Sequence, residues 1–263
     1  MTCAYNLNGL IDINTDVADG NGNYWYCDEL VGWDAAENRD TLLNRINAHG
    51  QIPADLRYNA RLLTFAGGVT LCPTDAARDL AMDALSAAAD LVDRYGLITV
   101  SEAVPKVAVV VRSKLQAARR GGAVIGPHGA LFPFGWQLDL YAPDGRKYQA
   151  TTSSAALGAT ATNAGNFPAL PVISLTTGGT DPITLTNSTA GLALTLHAQA
   201  GQPAMPATLT LDFAAHTIID GSGNNRYDLR DLTTKWWSLE PGANALTVTG
   251  GASGTAVWSN TWI

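Results

Sequence analysis

The chain has 263 residues, a net charge of −7 and a pI near 4.9, which excludes a strongly basic nucleic-acid-binding surface. Hydrophobic residues make up 46%, enough for a sizeable core, while charged residues reach only 15%. That is below the ~25% usual for soluble domains and favours a surface largely covered by neighbours.

Cys3, Cys27 and Cys72 are widely spaced and odd in number. That argues against a disulfide framework or zinc site and for buried free thiols in a reducing cytoplasm. No stretch reaches the ~18 apolar residues of a membrane span. The start, Met1 to Asn6, lacks the basic and apolar regions of a secretory signal, so neither feature is expected.

Charge divides the chain: residues 1–150 hold 30 charged side chains and residues 151–263 only 9. The tract between, Ala150 to Asn166, is small and polar. The reading is therefore a domain over 1–150, a linker or arm over 151–166, and a second domain over 167–263.

In chain order, Tyr5 to Ile13 reads as one short strand, and Asp16 to Asn23 as an Asp/Gly/Asn loop. Tyr24 to Cys27 reads as an aromatic strand. The tract from Val31 to Gln51 holds a helix-like patch at Asn38–Arg45, but only Leu42, Leu43 and Ile46 are apolar, so it is expected as loop or turn. Ala60 to Leu71 reads as a strand that Gly67-Gly68 breaks into a hairpin or bulge. Residues 75–95 form the one strong helix. Asp75 would cap its first turn, Leu80, Ala84, Ala88, Leu91 and Tyr95 would be its apolar face, and Gly96 its left-handed terminator.

Leu97–Val100, Val104–Leu115 and Leu131–Tyr141 follow as strands, the last two joined by a flexible connection over Arg119–Gly129. From Phe167 onward nine short strands are expected: Val172–Thr176, Ile183–Thr186, Ala193–His197, Ala207–Phe213, His216–Ile219, Arg226–Leu229, Lys235–Leu239, Ala245–Thr249 and Ala256–Trp262. Short strands separated by Gly, Asn and Pro indicate an antiparallel sandwich. The fold class is thus mainly β with one helix.

Little carries chemistry. His49, His128, His197 and His216 accompany no nucleophile elbow and no HExxH, so surface or satisfied histidines are expected. Asp220-Gly221-Ser222-Gly223-Asn224 resembles a calcium loop in composition but lacks its spaced acidic ligands, and Asp12-x-Asn14-x-Asp16 lacks a closing acid; turns are expected at both. Gly20-x-Gly22 and Gly221-x-Gly223 lack the context of phosphate loops. The basic cluster Arg112, Lys114, Arg119 and Arg120 reads as a solvated strand end. No catalytic, cofactor-binding or metal residues are assigned.

Two further classes stay open. A lectin-like module would use Trp236, Trp237, Trp258 and Trp262 as a sugar platform. Adjacent tryptophans on a strand point to opposite faces, so at most one of Trp236 and Trp237 is expected in the core. A glycoside hydrolase would need paired carboxylates, for which the sandwich offers Asp212, Asp220, Asp228, Asp231 and Glu240. Pro241-Gly242 suggests a type II turn.

Four segments, taken in order, resemble the distal tail protein (Dit) family of long-tailed bacteriophages. They are Asp28 to Asp34 followed by Arg61–Gly67, the strand-then-helix unit up to Tyr95, and Phe134–Asp144. The fourth is the closing stretch, with Asn225-Arg226 and Trp237-x-Leu239-x-Pro241-Gly242-x-Asn244-x-Leu246. The resemblance implies a ring-forming "belt" domain over 1–150 and a galectin-like β-sandwich over 167–263. It implies a structural, non-enzymatic tail-tip or baseplate component of the virion, assembled in the host cytoplasm as a hexameric ring. The implied partners are further copies of the chain, the tail tube protein, the tape measure protein, the tail-hub protein and receptor-binding or baseplate proteins. DNA would pass through the lumen without specific binding. Some family members carry an inserted carbohydrate-binding module, for which this chain has no spare segment. The 119–129 connection and the 150–166 tract are long enough to reach neighbouring subunits.

Overall fold

The computed structural model describes residues 3–34, 38–44, 51–90, 95–126, 129–179, 181–198, 201 and 203–263. They form two compact units, Met1–Lys147 with Ile263, and Tyr148–Trp262. Strands dominate both, and one α-helix is present among the described residues.

The first unit opens with a hairpin of β1 (Ala4–Leu7) and β2 (Ile11–Ile13), not the single strand expected there. Asn8 and Gly9 have φ of 55° and 70°, and Leu10 N donates to Leu7 O at 2.9 Å. An Asn-Gly pair with both residues at positive φ matches the twist of a tight hairpin, so the signal was in the sequence. β3 (Tyr24–Tyr26) and β4 (Glu29–Val31) follow. The tract expected as loop or turn then supplies β5 (Asn38–Asn44), which pairs with β6 (Gln51–Tyr58) as a separate two-stranded sheet. Leu42 and Leu43 are adjacent, and an adjacent pair makes no helical stripe.

β7 (Arg61–Cys72) runs unbroken through Gly67-Gly68. Its register with β11 (Gly129–Ala142) passes from Gly68–Trp136 to Phe65–Leu138, so two residues of one strand face one of the other. Gly67, with φ of 64°, takes the left-handed position of this bulge.

Helix α1 (Asp75–Ala89) is capped by Thr74, whose Oγ1 accepts from Ala77 N at 3.0 Å, while Asp75 pairs with Arg78 instead. Its buried face is Ala81, Leu85, Ala88 and Ala89; Leu80 and Ala84, expected inside, are exposed. Leucines stand on two neighbouring stripes, 80 and 85, and small residues decide between them. Ala81, Ala88 and Ala89 let the backbone approach the sheet closely. The expected continuation through Leu91 falls on residues 91–94, outside the described ones. Tyr95 is exposed, and Gly96 starts a strand and caps nothing.

β8 (Gly96–Ser101), β9 (Lys106–Arg119), β10 (Val124–Gly126) and β11 (Gly129–Ala142) complete the sheet, in the order β2-β1-β8-β9-β11-β7-β3. Asn14 ties the two ends of this path together. Its N–H donates to Trp25 O at 2.9 Å, and its side chain bonds both Cys27 N (2.9 Å) and Cys27 O (3.0 Å). The core enclosed holds Leu7, Ile13, Leu63, Phe65, Ile98, Phe134, Leu138 and Leu140, each fully buried.

The second unit begins around β12 (Lys147–Gln149). Residues 151–166, read as linker or arm, contain β13 (Ser153–Ala156) and β14 (Thr160–Asn163). Each pairs with a strand from the end of the chain, so this tract is part of the sandwich. Its Ala, Ser and Thr residues give a weak alternation that composition alone did not distinguish from a linker.

Next come β15 (Val172–Thr176), β16 (Ile183–Asn187), β17 (Leu192–Leu196), β18 (Thr208–Asp212), β19 (Thr217–Asp220), β20 (Gly242–Val248), β21 (Ser253–Trp258) and β22 (Thr261–Trp262). One sheet has the order β13-β21-β15-β18-β19 and the other β14-β20-β16-β17. Ile173, Leu175, Leu209, Leu211 and Trp258 of the first and Ile183, Leu185, Leu194, Leu196 and Leu246 of the second are buried in one core. This is the expected antiparallel sandwich.

Two expected strands are absent. Tyr227–Leu229 is a 3-10 turn, and Lys235–Leu239 forms only a single bridge, Leu239 to Ala169. This irregular tract runs along the edge of β17 and satisfies it: His197 N donates to Leu229 O, Asp231 N to Thr195 O, and Lys235 N to Ala193 O, at 2.7, 3.0 and 3.1 Å. Edge coverage of this kind needs scattered bonds and not a full ladder.

Candidate functional site

The tryptophan-rich stretch was the strongest candidate for a binding face. Trp237 and Trp258 are buried, at 3% and 4% exposure. Trp236 and Trp237 both pack on Phe213, with ring centroids 4.9 and 4.4 Å away. The rule that adjacent residues diverge holds on a strand, and this segment is not one, so both indoles reach the same core residue. His216 stacks on Trp236 at 5.2 Å and 13°. That face of the indole is therefore taken, and a sugar would have to displace the imidazole.

Buried asparagines replace a strand ladder here. Asn244 accepts from Glu240 N at 2.9 Å and donates to Glu240 O and Gly242 O at 2.7 and 3.1 Å. Asn187 donates to Ser238 O at 2.9 Å and Asn163 to Leu239 O at 3.1 Å. Asn260 accepts from the Trp258 indole and from Ala164 N at 3.0 and 2.9 Å. All four asparagines are buried, and each side-chain amide satisfies backbone groups that irregular chain leaves open. Gly242 has φ of 92°, the conformation expected after Pro241.

The five candidate carboxylates of the sandwich are each occupied close to home. Asp212 accepts from Ala214 N and Ala215 N; Asp220 from Ser222 N and Asn224 N. Asp228 pairs with Arg226, Asp231 accepts from Thr233, and Glu240 from Ser238. Bonds from Asn224 and Ser222 hold the Asp220 carboxyl below its ordinary pKa, and bonds from Thr233 do the same for Asp231. Lowered values suit turn acceptors and oppose the raised value of a general acid. The Asp220 tract is thus a turn, with Gly223 N donating back to Asp220 O at 2.9 Å. Asp12 accepts from Asn6 at 2.7 Å.

His197 pairs with Asp181 at 2.9 Å; His49 and His128 lie outside the described residues. Among the described residues no group of three or more His, Cys, Asp or Glu is placed to hold a metal ion. Cys27 and Cys72 are buried, and burial pushes both thiols up to about 11, while Cys3 is exposed.

A charged cluster with no sequence signature lies in the first unit. It surrounds Trp33, whose carbonyl accepts from Arg61 Nη1 at 2.7 Å and Lys147 Nζ at 3.0 Å. Lys147 also stands 5.1 Å from the Trp33 ring centroid, a cation–π contact. The indole donates to Glu102, which pairs with Lys106. Burial, then the nearby Arg61 and Lys106 charges, lower the Lys147 pKa. Burial alone would raise Glu102, but bonds from Lys106 and Trp33 outweigh it and hold it low. Every charge here points into backbone or an ion pair, so the cluster fastens chain and presents no reacting group.

Residues 164–262 match the family model of the siphovirus-type tail component, C-terminal domain (SPP1_Dit). The crystal structure of the Dit protein of phage SPP1, described as a paradigm of hub adsorption apparatus in phages infecting Gram-positive bacteria, overlays 100% of this chain and 100% of its own. The TM-score is 0.64 and the identity 14%. Two structures of the phage P2 baseplate, in its activated conformation with calcium or strontium, cover 98% of both chains at 10% identity, with TM-scores of 0.47 and 0.48. No curated protein sequence matches the chain. Residues 164–262 are thus similar to the siphovirus-type tail component family, and the chain as a whole has the fold seen in the SPP1 Dit protein.

Proposed function

We propose that the protein is a structural subunit of the tail tip of a long-tailed bacteriophage. Six copies close into a ring that joins the tail tube to the hub and gives receptor-binding or baseplate proteins a place to dock. The tape measure protein and then DNA pass through the lumen. The observation that carries this reading is the tail-component match over residues 164–262, set in a chain whose whole fold overlays that of SPP1 Dit. The net charge of −7 supports it, because an acidic protein offers passing DNA little to adhere to. The occupied carboxylates support a non-enzymatic role, and the location that follows is the virion tail tip, reached after assembly in the host cytoplasm. No helix among the described residues is long and apolar enough to cross a membrane.

Native mass spectrometry of the purified chain tests the ring. A species of six subunits is the expected result; a monomer at micromolar concentration, with no larger species on adding tail tube protein, overturns it. The core positions of Trp237 and Trp258 weigh against the lectin-like alternative.

A further inference from the structure

We draw no further inference here: the strongest candidate, the hydroxyl-lined groove of about 470 Å³ that Ser174, Thr176, Thr208, Thr210, Ser253 and Thr255 form across β15, β18 and β21, is an open array of small side chains, and nothing in the structure shows what covers it.

Discussion

Arg61 Nη1 donates to Trp33 O at 2.7 Å and so joins the two points between which β5 and β6 leave the first unit's sheet. The same guanidinium donates from Nε to Gly145 O at 2.6 Å, at 3% residue exposure. One buried fork thereby ties two loops to the start of β7. A two-stranded hairpin is marginal by itself in water, so a rigid base is what fixes its direction.

Arg61→Ala leaves Gly145 O without its side-chain donor and Trp33 O with Lys147 alone, and is expected to cost ~2–4 kcal/mol, the range for breaking a buried charged hydrogen-bond group. Arg61→Lys should recover only part, because an ammonium cannot make the divergent bonds of a planar fork. Hydrogen exchange measured along β4 and β7 reads the loss directly. Protection unchanged in Arg61→Ala would show that the fork holds nothing.

Glu102 gives a pH dependence with a definite sign. Its folded pKa lies below the ordinary value of 4.5, so the folded state binds its proton less readily than the unfolded one. The stabilisation is therefore complete above that ordinary value and is lost as pH falls through the lower, folded one. Glu102→Gln removes the titrating group. The fall of the melting temperature below about pH 4.5 should become shallower in this variant than in wild type. An equally steep fall in both proteins would place the acid sensitivity elsewhere.

How far the sequence reveals this fold depends on the kind of signal. Alternation at Leu209, Leu211 and Phe213 placed a sandwich strand correctly, because one face is buried and the other is wet. The closing stretch misled, because Trp236 to Leu239 looks like a strand in composition. Its backbone is satisfied by Asn163, Asn187 and Asn244, which lie up to 76 residues away in sequence. Long-range side-chain to backbone bonds have no local period. The Trp33 cluster was invisible for the same reason: Arg61, Glu102, Lys106 and Lys147 have no spacing that announces them. Where a feature rests on a turn, as at Asn8-Gly9, two residues suffice to read it.

Two glycines separate strain from space. Gly32 and Gly242 have φ of 87° and 92°, so any side chain at either position is strained. A Cβ at Gly32 would also stand 2.1 Å from Leu62 O, whereas at Gly242 nothing lies within 4 Å. Gly242→Ala is then expected to cost ~1–2 kcal/mol from the left-handed backbone alone, and Gly242→Val somewhat more because of its β-branch. Gly32→Ala must also push β4 off β7 and should cost clearly more. Thermal melts of the variants give the order, and equal losses would mean that β4 yields freely.

Asn244 is the last test, because it decides whether the irregular tryptophan stretch is held by side chains or by packing. Its amide is fully buried and bonds both ends of the Glu240–Gly242 turn, and Asn187 donates to its Oδ1 at 3.2 Å. Asn244→Ala strands Glu240 N, leaves the Asn187 amide with Ser238 O alone, and should cost ~2–4 kcal/mol, as for several buried polar groups losing partners at once. Asn244→Asp keeps the acceptor but loses both donations, and it places a charge where Glu240 O and Gly242 O already crowd the site; it should be at least as damaging. Trp237→Phe, by contrast, keeps most of the apolar volume against Phe213 and should cost less than either. Its indole N–H has no acceptor to lose. Urea unfolding of the three variants, followed by tryptophan fluorescence, ranks them. If Trp237→Phe proves the most destabilising, packing holds the stretch and the asparagines only decorate it.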